Sequence, residues 1–182
     1  MKKMSRAHPD YNFKILLLGA AAVGKTSLVQ RFVHNKFEKS YLMTIGMEPS
    51  EKFVTLKNGT VVALSIWDLA GQDRFRYIRH TFFRGAKAAL MVFDLTRSST
   101  LQDILTWEKE LKSNCGPDTL KILVGNKHDL EDQIAVSNKE CESIHNKIKS
   151  VSFIRTSALT GEHVQEAFES LAQALVNKSM KK

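Results

Sequence analysis

Gly19-Ala20-Ala21-Ala22-Val23-Gly24-Lys25-Thr26 is the stretch whose reading decides the fold. It has the spacing G-x-x-x-x-G-K-[ST], and the sequence around it suits that pattern. Residues 13–18, Phe-Lys-Ile-Leu-Leu-Leu, form an apolar run that reads as a buried strand ending at Gly19. Residues 25–35 carry a helical pattern. A strand, a glycine-flanked loop and a helix in that order turn successive backbone N–H groups inward, where phosphate oxygens accept them. The helix N-terminus adds positive dipole. Lys25 can reach β and γ phosphates, and the Thr26 hydroxyl can ligate Mg²⁺. A chance lysine after a glycine-punctuated turn would leave the flanking strand and helix unexplained. The loop does not by itself choose between ATP and GTP.

Outward from the loop, apolar runs alternate with helical patterns. Residues 53–56 and 61–67 flank Lys57-Asn58-Gly59-Thr60, whose Asn-Gly is a hairpin signal. Residues 88–94, 121–124 and 151–155 read as further strands, and 100–113, 137–149 and 162–177 as helices. The alternation predicts an α/β fold with a mostly parallel six-stranded sheet, one antiparallel edge strand and helices on both faces. In such sheets ligands bind beyond the C-terminal ends of the strands, where the motifs of this chain fall. The 182 residues allow one domain. We expect it over 11–177, between basic tails at 1–10 and 178–182.

The formal charge is +8, of which Lys2, Lys3, Arg6 and Asp10 give +2 and Lys178, Lys181 and Lys182 give +3. Basic tails imply weak, salt-screened contact with anionic membrane, or solvated ends that aid solubility. No aromatic-basic interleaving points to nucleic acid. Lys2, Lys3 and Arg6 before the apolar run mimic a secretory signal, but Lys14 and Gly24-Lys25-Thr26 fit the phosphate loop and not a signal. The two cysteines, Cys115 and Cys141, have neither disulfide nor metal spacing, so a reducing cytoplasm is expected.

Asn126-Lys127-His128-Asp129 follows the apolar residues 122–124. A carboxylate at Asp129 can accept both the N1–H and the exocyclic amine of guanine. Adenine offers no such donor pair and would leave the carboxylate desolvated and unpaired. Thr156-Ser157-Ala158 ends the next strand, and a backbone N–H there can donate to the guanine O6.

In this order the motifs resemble the Ras superfamily, over about residues 13–176. Several segments resemble the Rab family in particular. Trp67-Asp68-Leu69-Ala70-Gly71-Gln72-Asp73-Arg74-Phe75 is similar to the Rab second switch, and Thr44-Ile45-Gly46 to the first. Phe82-Phe83-Arg84-Gly85-Ala86 and Met91-Val92-Phe93-Asp94-Leu95-Thr96 are similar to the segments that follow. The resemblance implies a P-loop small G-protein fold and a switch that binds GTP and GDP with Mg²⁺ and slowly hydrolyses GTP. It implies nucleotide contacts from Ala21, Ala22, Val23, Gly24, Lys25, Thr26 and Ser27, and from Asn126, Lys127, Asp129, Ser157, Ala158 and Leu159. Phe37 resembles the aromatic beside the guanine, and Tyr41 the one near the γ phosphate. Thr44 and Gly71 would hold the γ phosphate through their N–H groups. Thr26 and Thr44 would ligate Mg²⁺, with Asp68 acting through water. Gln72 would orient the attacking water, and Lys25, on the β and γ phosphates, would be the second catalytic residue.

Exchange factor, activating protein and effectors would then act at the switches of a monomer, cytoplasmic or peripheral on the cytoplasmic face of membranes, in traffic or signalling. Ala21 and Ala22 replace glycines of Ras proteins, and a substitution at the first impairs hydrolysis in that family. Ile45-Gly46-Met47-Glu48-Pro49 departs from the usual Rab Ile-Gly-Val-Asp-Phe. The final residues hold no cysteine, so no prenyl anchor is expected on this chain. Residues 38–43 hold no arginine to act in cis, so turnover should depend on a partner in trans. Two other readings stand beside this one. A GTP-binding adaptor with little hydrolysis rests on Ala21, and a P-loop ATPase or nucleotide kinase is opposed by Asp129.

Overall fold

A computed structural model of the chain describes residues 8–38 and 43–181. Its centre is β1 (Tyr11–Leu18), in which Ile15 to Leu18 are fully buried. Alternate side chains of a strand point to opposite faces. Ile15 and Leu17 accordingly join one apolar cluster, and Leu16 and Leu18 another. A strand that must be apolar on both faces belongs inside a sheet covered twice, as the continuous run implied.

The sheet has the order β2-β3-β1-β4-β5-β6. β3 (Val61–Leu69), β4 (Ala88–Asp94), β5 (Leu120–Asn126) and β6 (Phe153–Arg155) lie parallel to β1, and β2 (Met47–Thr55) is antiparallel to β3. Helices α1 (Lys25–His34) and α5 (Val164–Met180) cover one face, where Phe32 and Phe168 stack with centroids 4.0 Å apart. Helices α2 (Arg76–Phe83), α3 (Ser98–Cys115) and α4 (Asn138–Ile148) cover the other. The expected six-stranded sheet with one antiparallel edge strand is the sheet observed.

The largest differences from the expected elements lie at β2, α2 and α5. β2 starts at Met47 and not near 53, because Met-Glu-Pro-Ser-Glu-Lys at a half-solvated edge has no apolar alternation to read. Pro49 is tolerated there because an edge strand leaves one row of N–H groups unpaired. Helix α2 lies within the second-switch sequence, where no helix was expected. At the C-terminus α5 runs on to Met180, and Lys178 Nζ donates to the Asp118 carbonyl, so 178–180 continue the helix and are not a separate tail. Asp10 is likewise engaged, accepting the Val61 N–H at 2.7 Å. The remaining basic residues of the N-terminal tail and Lys182 lie outside the described residues.

The strand ends now converge. The phosphate loop follows β1, Asp68 stands near the end of β3, Asp94 ends β4, Asn126 ends β5, and Thr156 follows β6.

Candidate nucleotide-binding site

Helix α1 is preceded by Gly24, whose φ of 98° lies in the left-handed region. A Cβ there would stand 2.2 Å from Asn126 Nδ2, so only glycine lets the base loop reach the phosphate loop. No side chain caps α1, and its first turn holds no acidic residue. Helix α4, by contrast, is closed by a reciprocal cap between Ser137 and Glu140. The first N–H groups of α1 therefore keep their capacity for an anion. Ala22 also sits in the left-handed region, at φ 63°. Lys25 is buried and folds back over the loop, donating to the Gly19 and Ala20 carbonyls at 2.7 and 2.9 Å. Burial pulls its pKa down to about 8, against the pull of Asp68.

Three oxygens meet beside Lys25. The Thr26 and Thr44 hydroxyls are 2.7 Å apart, and both donate to Asp68 Oδ2, Thr44 at 3.4 Å. Burial raises the Asp68 pKa, opposed by Lys25. Asp68 Oδ1 is buried with no hydrogen-bond partner among the described residues. An orphaned carboxylate oxygen is costly unless a cation or donor takes it. Two hydroxyls and a carboxylate are hard oxygen donors, the set that suits Mg²⁺. Among the described residues there is no cluster of three or more His, Cys, Asp or Glu that would suit a softer metal. Gly71 lies flat against the loop, and a Cβ on it would stand 2.4 Å from the Ala20 carbonyl carbon. Gln72, next along, donates its amide to Met43 Sδ at 2.7 Å. Tyr41 lies outside the described residues.

The other half of the site is a cavity of about 350 Å³ lined by Phe37, Ser27, Asn126, Lys127, Asp129, Ala158 and Leu159, among others. Asn126 is buried and acts as a rivet. Its amide donates to the Val23 carbonyl at 3.0 Å, and its oxygen accepts from Thr156 Oγ1 at 3.1 Å and the Ala158 N–H at 3.3 Å. Ser157 Oγ donates to Asp129 Oδ1 at 2.5 Å and so fixes the carboxylate. The Ser157 N–H is taken by the Glu162 carbonyl, which leaves the weakly held Ala158 N–H as the better donor for a guanine O6. Every described residue expected at the site lies at one of these two ends.

Residues that the sequence reading missed hold the site from behind. Arg31 of α1 donates to the Ala158 and Leu159 carbonyls at 2.9 and 2.7 Å. Asp94 accepts the Lys127 ammonium at 2.7 Å. An acid closing the wholly buried strand β4 was the available signal, since a charge there must be partnered.

Against known proteins, the Ras family model matches residues 14–177, nearly the whole described domain. The chain belongs to the Ras family. Among curated proteins it is 41% identical to the Ras-related protein RABA1c of Arabidopsis thaliana, over 87% of this chain and 73% of that protein. It is 38% identical to Ras-related protein Rab-4B of Homo sapiens, over 93% and 78%. RABA1b of Arabidopsis thaliana is 40% identical over 95% and 79%. This Rab-like small GTPase is thus an enzyme that hydrolyses GTP, built on the P-loop fold. No helix among its described residues is long and apolar enough to cross a membrane.

Proposed function

We propose that this GTPase is a Mg²⁺-dependent guanine-nucleotide switch with slow intrinsic turnover, acting in membrane traffic. The observation that carries the reading is the meeting of Thr44 and Asp68 on Thr26. Thr44 belongs to the first switch segment, and Asp68 leads into the second. Both segments are therefore tied to the loop that would cradle the phosphates, and a γ phosphate gained or lost there changes what holds them.

Thr26, Thr44 and Asp68 would hold Mg²⁺, which would supply positive charge against the phosphates. Lys25 gives two of its ammonium hydrogens to loop carbonyls and keeps the third for a phosphate oxygen. Asp129, aimed by Ser157, selects guanine. Gln72 must leave Met43 to orient the attacking water, which supports slow turnover in the absence of a partner. The adaptor reading becomes a statement about this rate. Regulators and effectors would bind at the switches. Rab-named relatives support a place in membrane traffic, with the basic chain ends adding a weak contact to anionic lipid.

The test is displacement of fluorescent GDP by GTP, GDP or ATP, with and without a chelator, followed by phosphate release from GTP-loaded protein. Displacement by GTP but not ATP, loss on chelation and slow release are expected. Equal displacement by ATP and GTP would sink the guanine reading.

A further inference from the structure

The phosphate loop turns its N–H groups inward, so its carbonyls face out and need partners of their own. Three side chains supply them. Lys25 takes Gly19 and Ala20, and Asn126 takes Val23. The Ala21 carbonyl is taken by Arg97, whose Nη2 donates to it at 3.0 Å from the start of α3. The same guanidinium donates through Nε to Asp94 Oδ2 at 3.0 Å.

Asp94 is a built anchor and not a surface partner. It is 1% exposed. It accepts the Thr96 N–H at 2.9 Å, the Thr96 hydroxyl at 2.7 Å and the Lys127 ammonium at 2.7 Å besides Arg97. Burial pushes its pKa up, but the hydrogen bonds from Lys127 and Thr96 outweigh this and hold it below the usual carboxylate range. Lys127 belongs to the base loop, in the left-handed region at φ 69°. One buried carboxylate therefore holds a cation from each end of the nucleotide site.

We infer that Arg97 is a positioning residue for nucleotide retention: it clamps the phosphate loop through the Ala21 carbonyl and, through Asp94, couples that loop to the base loop. The inference rests on the guanine-nucleotide reading and adds to it a residue outside the recognition motifs. An ordinary exposed ion pair contributes little. This guanidinium is 43% exposed, but it bridges a buried carboxylate and a backbone carbonyl that no other described side chain reaches.

The test compares the parent, Arg97→Ala and Arg97→Lys, each with melting curves recorded. Release of preloaded fluorescent GDP is measured, and GMP and GDP are then titrated as competitors. Arg97→Ala should release GDP about tenfold faster, the effect of one charge-assisted hydrogen bond. Lysine has the reach to make one of the two contacts and should recover part of the loss. The preference for GDP over GMP should shrink in Arg97→Ala, because the loop that Arg97 clamps holds the phosphate that GMP lacks. Release from Arg97→Ala at the parent rate overturns the inference, as does an equal loss for GMP and GDP, the mark of general loosening. A parent that binds no GDP would instead overturn the guanine reading and this inference with it.

Discussion

In the proposed function Asp129 decides between bases, because a carboxylate can only accept hydrogen bonds. Asp129→Asn replaces one acceptor with a donor, which suits the xanthine O2 and opposes the guanine amine. GDP affinity should fall by at least about tenfold while XDP becomes the better competitor, read by displacement of fluorescent nucleotide. Gln72 is a different case, since its amide has no described partner beyond the Met43 sulfur. Gln72→Leu should slow phosphate release by about tenfold or more and leave GTP binding unchanged, because leucine cannot position water. Release at the parent rate would remove Gln72 from the reaction. Asp94 titrates in a predictable direction. Its folded-state pKa is depressed, so its contribution to stability is present above the ordinary carboxylate pKa and is lost as pH falls through the lower folded value. Asp94→Asn should destabilise the fold by about 1–3 kcal/mol at neutral pH and flatten the steepest part of acid unfolding below about pH 4. Unchanged acid unfolding in this variant would show that Asp94 does not set it.

Helix α2 is the element in which packing and switching meet. Arg79 on it is only 2% exposed, and its guanidinium lies 4.1 Å from the Trp107 ring centre on α3. Its Nε and Nη1 have no hydrogen-bond partner among the described residues, and its ion pairs to Glu110 and Asp73 are long, at 3.6 and 3.9 Å. Asp73 is fully exposed, so Glu110 is the partner that counts. A buried charge so thinly partnered is held by stacking and by one carboxylate. Arg79→Met, which fills the same space without a charge, should be neutral or mildly stabilising in denaturant unfolding. Glu110→Ala, which strands the charge, should cost about 1–3 kcal/mol. The opposite order would show that the ion pair outweighs its desolvation. Nothing in Arg76-Tyr-Ile-Arg-His-Thr-Phe-Phe announced this contact, because an arginine at a core-facing position reads as solvent-facing.

At the scale of the molecule, the proposed nucleotide would complete the fold. The phosphate loop and the base loop line one cavity, Thr44 and Asp68 meet the phosphate loop at Thr26, and Asp68 Oδ1 lacks a hydrogen-bond partner among the described residues. A ligand that binds only the folded state stabilises it by mass action, by about 4 kcal/mol at a thousandfold excess over Kd. GDP with Mg²⁺ should therefore raise the melting temperature by several degrees, and a chelator should reverse most of that rise. A melting temperature indifferent to both would deny the protein its ligand.

The sequence alone determined the sheet, its covering on both faces and the order of the motifs, because these follow from local rules. Four consecutive apolar residues at 15–18 force a doubly covered strand, and Gly24-Lys25-Thr26 opens a helix at a phosphate-sized turn. It also named the residues proposed for both ends of the candidate site. Tertiary structure alone decided what holds them there. The contacts of Arg97 with Ala21, Arg31 with Ala158 and Lys127 with Asp94 join residues far apart in the chain. No periodicity or spacing encodes such pairs, since each depends on which strand ends the sheet order brings side by side. The extent of β2 and the burial of Arg79 belong with them, because an edge strand and a stacked arginine take their places from neighbours and not from their own sequence.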